Sequence, residues 1–187
     1  MTELLLIRHG ATDWNRDRRW QGQRDVPLND DGLAQARRAA ESLRGVPLDA
    51  VYSSDLARAR QTAEAVAAVT GAPLRLDRRL REIGLGRWEG MSFDEIRERD
   101  GPALDRFRAD PLGTRAPDGE SVPEVRQRVL AALADIRRAH PDGRVAIVSH
   151  GLALAVLRVH LLGIPLEDVW QHEPDNARVE PFHLDAP

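Results

Sequence analysis

The chain has 187 residues, 42% of them hydrophobic, which suits one compact unit with a buried core, and its 27 basic and 30 acidic side chains leave a net charge of −3. That balance argues against a general nucleic-acid binder, which carries a basic excess, so any positive site has to be local. The sequence contains no Cys, and every basic chain is Arg because it contains no Lys either; disulfides, phosphocysteine chemistry, Schiff bases and a P-loop lysine are thereby excluded.

Met1 leads without a basic segment into Leu4, Leu5, Leu6 and Ile7, a short apolar run that ends in Arg8, His9 and Gly10. Unbroken apolarity suits a strand covered on both faces, as in a parallel sheet between helices. No stretch approaches the roughly 18 apolar residues a membrane helix needs, so a soluble, cytoplasmic protein with no membrane partner is expected. After the turn-prone Asn29, Asp30, Asp31 and Gly32, the spacing of Leu33, Ala36, Ala40 and Leu43 predicts a covering helix. Ala50, Val51 and Tyr52 read as another strand, which passes through Ser53, Ser54 and Asp55 into a helix with Ala59, Ala63, Val66 and Ala67 on its inner side and Arg58 in its first turn.

Residues from about 83 to 119 are rich in Gly, Pro and Arg and carry a short helical pattern around 93 to 107. They read as an irregular excursion over the sheet edge that covers the substrate. Ser121 and Glu124 then stand at capping-box spacing before a helix with Val122, Val125, Val129, Leu133 and Ile136 inward. Val145, Ala146, Ile147 and Val148 form a second buried run, ending in Ser149, His150 and Gly151. Two His-Gly pairs thus stand at strand carboxyl ends, where open α/β sheets place their ligand sites. The expected fold is α/β, a three-layer αβα sandwich around a mostly parallel central sheet, with residues 1–187 forming a single domain.

Arg8, His9, Gly10, Ala11 and Thr12 after an N-terminal strand resemble the signature of the histidine phosphatase superfamily, which also contains the cofactor-dependent phosphoglycerate mutases. The resemblance extends in order through Trp14, Asn15, Gln21, Gly22, Asp25, Pro27, Leu28, Gly32 and Ala36. It continues through Ser53, Ser54, Asp55, Leu56, Arg58, Ala59, Gln61, Thr62 and Ala63, then Leu80, Arg81 and Glu82. The last blocks are Gly86, Arg87, Trp88, Glu89 and Gly90, then Gly119, Glu120 and Ser121, then Ser149, His150 and Gly151. Together they cover most of the chain, and the implied fold is phosphoglycerate mutase-like.

Phosphoryl transfer needs a positioned nucleophile and concentrated positive charge around the transferring oxygens, and these residues supply both. A neutral His9 offers one ring nitrogen for attack while the other fixes the tautomer through a hydrogen bond. Arg8 and Arg58 can clamp phosphate oxygens, and His150, if protonated, adds charge from the facing strand end. The resemblance implies that Glu82 protonates the leaving oxygen and then activates water against a phosphohistidine on His9. Asn15, Gln21, Gly22, Ser54 and Gly151 are further candidates for substrate contacts. Neither metal nor cofactor is expected, and the expected partner is a small phosphorylated metabolite; a homodimer is a frequent assembly among the family's members.

Other side chains have plainer readings. Asp55 and Ser121 are read as helix caps, and Glu120 as an indirect support of the site. His140, His160, His172 and His183 lack ligand spacing, and Trp14, Trp20 and Trp88 suit either the pocket mouth or the core. Arg97, Arg99, Arg106, Arg108 and Arg115 read as a solvated helix face. Within the resemblance, the short segment from Trp88 through Gly90, Met91, Ser92 and Phe93 is similar to the phosphatase branch, and the alternative is a phosphoglycerate mutase. An Asp-x-Asp nucleophile motif is missing, and Gly84, Gly86 and Gly90 are wrongly spaced for a dinucleotide fingerprint.

Overall fold

The computed structural model describes residues 2–184. Strands β1 (Thr2–Arg8), β2 (Ala50–Ser53), β3 (Leu74–Leu76), β4 (Arg144–Ser149) and β5 (Val179–Leu184) form one sheet in the order β3-β2-β4-β1-β5. The first four run parallel, and β5 pairs antiparallel with β1 at one edge. The helices are α1 (Asp13–Arg16), α2 (Asp30–Glu41), α3 (Ala57–Thr70), α4 (Phe93–Ala109), α5 (Val122–Ala139) and α6 (Gly151–Leu162). The expected α/β architecture with a mostly parallel sheet is the one observed.

Side chains alternate across the pleat, so each buried strand feeds two cores. Leu5, Ile7, Val51, Ala146 and Val148 pack with Ala40 of α2 and Ala59, Ala63 and Val66 of α3. Leu4, Leu6, Tyr52, Val145 and Ile147 face the other way, against Val125, Val129 and Leu133 of α5 and the apolar residues of α6. Burying each such Val, Leu or Ile contributes roughly 1.5–3 kcal/mol, and the dual coverage explains the continuous apolar runs. Among the described residues, no helix is long and apolar enough to cross a membrane.

The helical pattern expected around 93 to 107 is α4, Phe93–Ala109, but residues 83–119 are more deeply packed than an irregular excursion over the sheet edge. Trp88, Ile96, Leu104 and Phe107 are fully buried in the same core cluster as α5 and α6. Ser92 and Glu95 form a capping box at the start of α4, whose 17 residues bend at Asp100 just before Pro102. Pro102 cannot donate a helical hydrogen bond, so the kink absorbs the break that made the pattern look short. Leu43 is buried as expected but follows the end of α2 at Glu41.

Parallel pairing of β1 and β4 places Arg8 opposite Ser149. The backbone continues in step, the amide of His9 donating to the carbonyl of Ser149 at 3.0 Å. This register sets the two His-Gly turns side by side at the sheet's carboxyl edge.

Candidate active site

His9 is 3% exposed and His150 fully buried, with their ring centroids 5.1 Å apart. Nδ1 of His9 lies 2.7 Å from the carbonyl oxygen of Gly10, which can only accept, so Nδ1 carries the hydrogen and Nε2 holds the lone pair. Burial first, then the charges of Arg58 and Arg8, keep the His9 ring well below the usual histidine pKa range, against the opposing effect of that hydrogen bond. The turn around His9 is closely tied: Asn176 Nδ2 donates to its carbonyl at 2.8 Å, and the amide of Gly10 donates to Thr62 Oγ1 at 3.1 Å. A side chain at Gly10 would collide with the backbone of Gly32, so the approach of these two segments requires glycine.

Among the described residues, neither ring nitrogen of His150 has a hydrogen-bond partner. Burial, followed by the positive charge of Arg58, pushes its pKa well below the ordinary range, so in the protein alone it is neutral rather than cationic. An anion bound beside the two rings would bring charge of the opposite sign and acceptors for a buried donor that costs about 1–3 kcal/mol when unpaired.

Arg58 is 1% exposed and reaches the site from the first turn of α3. Its Nη1 and Nη2 donate to the carbonyls of Arg24 and Gly22 at 2.7 and 2.8 Å, which leaves other N–H groups of the fork for a ligand. Burial lowers its pKa to about 10, so it remains cationic at neutral pH. Gly22 presents that carbonyl from a left-handed conformation with φ of 51°. Arg8, at the end of β1, donates from Nη1 to the carbonyl of Pro174 at 2.6 Å.

Glu82 comes from the connection between β3 and α4. Its Oε1 accepts from the amides of Ile83 and Ala153 at 3.0 and 3.2 Å, and its Oε2 from Leu152 at 3.2 Å. It therefore sits at the start of α6, where His150 is the N-cap but makes no side-chain cap bond. Arg128 of α5 holds this connection, donating to the carbonyls of Arg79, Arg81 and Glu82 and to both oxygens of Glu120. The expected indirect role of Glu120 corresponds to this contact.

Arg8, His9, Asn15, Gln21, Gly22, Arg58 and Glu82 line one cavity of about 410 Å³. Asn15 and Gln21 are oriented by Thr12, whose amide and hydroxyl donate to Asn15 Oδ1 at 3.0 and 3.1 Å and whose hydroxyl reaches Gln21 Oε1 at 3.0 Å. His150 is fully buried beside His9, its ring centroid 5.1 Å from that of His9, and Gly151 opens α6 next to it. Ser54 is fully buried, receives the amide of Leu56 at 3.3 Å and is not part of the cavity wall. Asp55 is no helix cap: it forms a paired contact with Arg81 at 2.6 Å on each oxygen, while Asp25 accepts from the amide of Ala57 at the start of α3. Ser121 does cap α5.

Away from His9 the wall is apolar and aromatic, made by Trp20, Leu85, Phe93, Phe107, Leu152 and Trp170, with Arg19 and Arg108 beside them. Of the three tryptophans weighed for the mouth, Trp20 lines it, whereas Trp88 is core, its Nε1 donating to Asp100 at 2.9 Å. Arg108 is part of the wall and stacks 5.6 Å from the Phe93 ring centre, rather than belonging only to a solvated face. Trp170, Asn176 and Glu173 were not among the sequence candidates. They follow α6, in a stretch punctuated by Pro165, Pro174 and Asp175, which marks turns but carries no chemical pattern.

The family model of the histidine phosphatase superfamily (branch 1) matches residues 4–186. A probable phosphoglycerate mutase GpmB from Enterobacter sp. (strain 638) is 40% identical over 165 residues, covering 88% of this chain and 77% of that protein. The solved structure of Bacillus stearothermophilus YhfR is 39% identical with a TM-score of 0.92, over 99% of this chain and 92% of that one. Mycobacterial glucosyl-3-phosphoglycerate phosphatase Rv2419c, solved with VO3, is 34% identical with a TM-score of 0.88, over 96% of this chain and 90% of that one.

Proposed function

This chain belongs to the histidine phosphatase superfamily, and from that premise we propose that it hydrolyses a small phosphomonoester through a phosphohistidine on His9, without a metal ion. The observation that carries this reading is the state of His9: Nδ1–H is committed to the Gly10 carbonyl and the ring is held neutral, so Nε2 is a lone-pair nucleophile in the cavity wall.

In the first step Nε2 attacks phosphorus, the bond to the ester oxygen breaks, and Glu82 gives its proton to the departing alkoxide. Arg8 and Arg58 neutralise the equatorial oxygens, and His150 donates to them. In the second step water attacks the phosphohistidine, Glu82 takes a proton from it, and the P–N bond breaks to release inorganic phosphate and neutral His9. The balance closes with Glu82 protonated again.

Phosphatase relatives support hydrolysis, as does the aromatic wall where the leaving group would lie. The GpmB relatives support the second reading, in which the phosphoryl group returns to another position of the substrate. A phosphate-release screen over phosphorylated metabolites, with and without EDTA, tests both. Turnover that survives EDTA and is lost in His9→Ala is the expected result. Interconversion of phosphoglycerates without phosphate release, dependent on 2,3-bisphosphoglycerate, would establish the mutase, and wild-type turnover by His9→Ala would remove the nucleophile assignment.

A further inference from the structure

Glu173 is a second carboxyl in the cavity, and the two-step scheme gives it no part. It lies 3.8 Å from Arg8 Nη1, and its Oε2 sits 2.5 Å from where a Cβ at Gly151 would be. It lines the same cavity as Trp170, and its contact with Arg8 puts it at the end of that cavity that carries the arginine next to His9. Its side chain keeps 37% of its surface open, whereas the arginine it faces is largely covered.

We propose that Glu173 selects for phosphomonoesters bearing a hydroxyl or ammonium donor next to the ester carbon and against those bearing a carboxylate there. This rests on the phosphatase reading and deepens it. A carboxylate beside the ester oxygen accepts hydrogen bonds from such donors, whereas a second carboxylate placed there meets a like charge in a partly desolvated pocket. The charged groups facing Glu173 are Arg8 from the end of β1 and Glu82 from the β3–α4 connection; Arg58, Arg19 and Arg108 line the same cavity. Arg19 is engaged by Glu95 at 2.9 Å, and Arg108 stacks on Phe93, so both have partners of their own. The surrounding protein, followed by the charge of Glu82, raises the Glu173 pKa against the pull of Arg8, so the selectivity weakens in acid.

Glycerol 2-phosphate and 2-phosphoglycerate form the matched pair, differing by a hydroxymethyl group in place of a carboxylate on the ester carbon. Binding is followed through the fluorescence of the cavity's tryptophans in the His9→Ala background, which needs no turnover and so separates this idea from the assigned reaction. At about pH 8 the glycerol ester binds more tightly, and Glu173→Gln narrows the ratio of the two dissociation constants by about tenfold, mainly by tightening 2-phosphoglycerate. Lowering the pH narrows the ratio with Glu173 present and leaves it unchanged in Glu173→Gln. A ratio untouched by the substitution at either pH, with both ligands still bound, overturns the proposal. Hydrolysis of the same pair by the chain with His9 intact then reports independently on the phosphatase reading.

Discussion

Replacing Arg128 by Met removes a fork that addresses five acceptors while nearly preserving side-chain volume. Its Nη1 donates to the carbonyls of Arg79 and Arg81 at 2.8 and 2.6 Å, its Nη2 to that of Glu82 at 2.9 Å, and its Nε and Nη2 to Glu120 at 2.9 Å each. Two of these acceptors keep other donors, because Gln23 Nε2 reaches Glu82 O at 3.1 Å and the amide of Gly84 reaches Glu120 at 2.7 Å. The Arg79 and Arg81 carbonyls lose this donor, at about 1–3 kcal/mol each if left dry. With side-chain exposures of 18% and 26%, the Arg128–Glu120 pair is partly screened and adds roughly 1 kcal/mol. The sum is about 3–7 kcal/mol, or roughly 10 °C or more in melting temperature for a chain of this length. Because the connection carries Glu82, kcat on an alkyl phosphate should fall about tenfold or more with a smaller change in KM. Thermal denaturation and steady-state kinetics on the same preparation measure both. A loss below about 3 °C with unchanged kcat would refute the reasoning and leave the backbone alone as the support of Glu82.

Glu82→Gln should slow an alkyl phosphate by roughly 10²–10⁴-fold while sparing the first step on p-nitrophenyl phosphate, whose leaving group needs no proton. Rapid mixing should then show a burst of nitrophenolate and an accumulating acid-labile phosphohistidine; equal loss on both esters without a burst would take the proton-donor role from Glu82. The pH dependence of stability follows from the two buried rings. His9 and His150 are held below their ordinary pKa by burial first and then by Arg58, so the unfolded chain, with values near ~6.5, binds more protons. Their contribution is present above about pH 6.5 and lost as pH falls toward the folded values, at up to about 1.4 kcal/mol per pH unit and ring. Urea unfolding between about pH 7.5 and 5.5 should show this slope, reduced in His150→Asn; a slope unchanged by that substitution would mean the ring titrates freely in the fold.

What could be read from the sequence is what is encoded locally. An unbroken apolar run followed by His-Gly announces a covered strand and its carboxyl end within seven or eight residues, and this happens at both His9 and His150. That the two rings stand 5.1 Å apart depends on the parallel register of β1 and β4, which the topology decides. Asp55 shows how a local rule loses to a distant partner: the Ser-Ser-Asp start suits a cap, but the bidentate fork of Arg81 takes the carboxylate and Asp25 supplies the cap from 32 residues away. Residues 83–119 hid their core character because Gly, Pro and Arg dilute an apolar spacing that continues across the bend at Asp100. Glu173 and Trp170 have no local signal at all, since their meaning comes from Arg8 and Phe107, more than sixty residues earlier. The proposed nucleophile His9 and the arginines beside it are therefore written in short motifs, whereas the aromatic part of the cavity wall is written in tertiary contacts. Sequences that share the motifs but differ at positions 93, 107, 108, 170 and 173 should keep the phosphoryl chemistry and change the ester they accept.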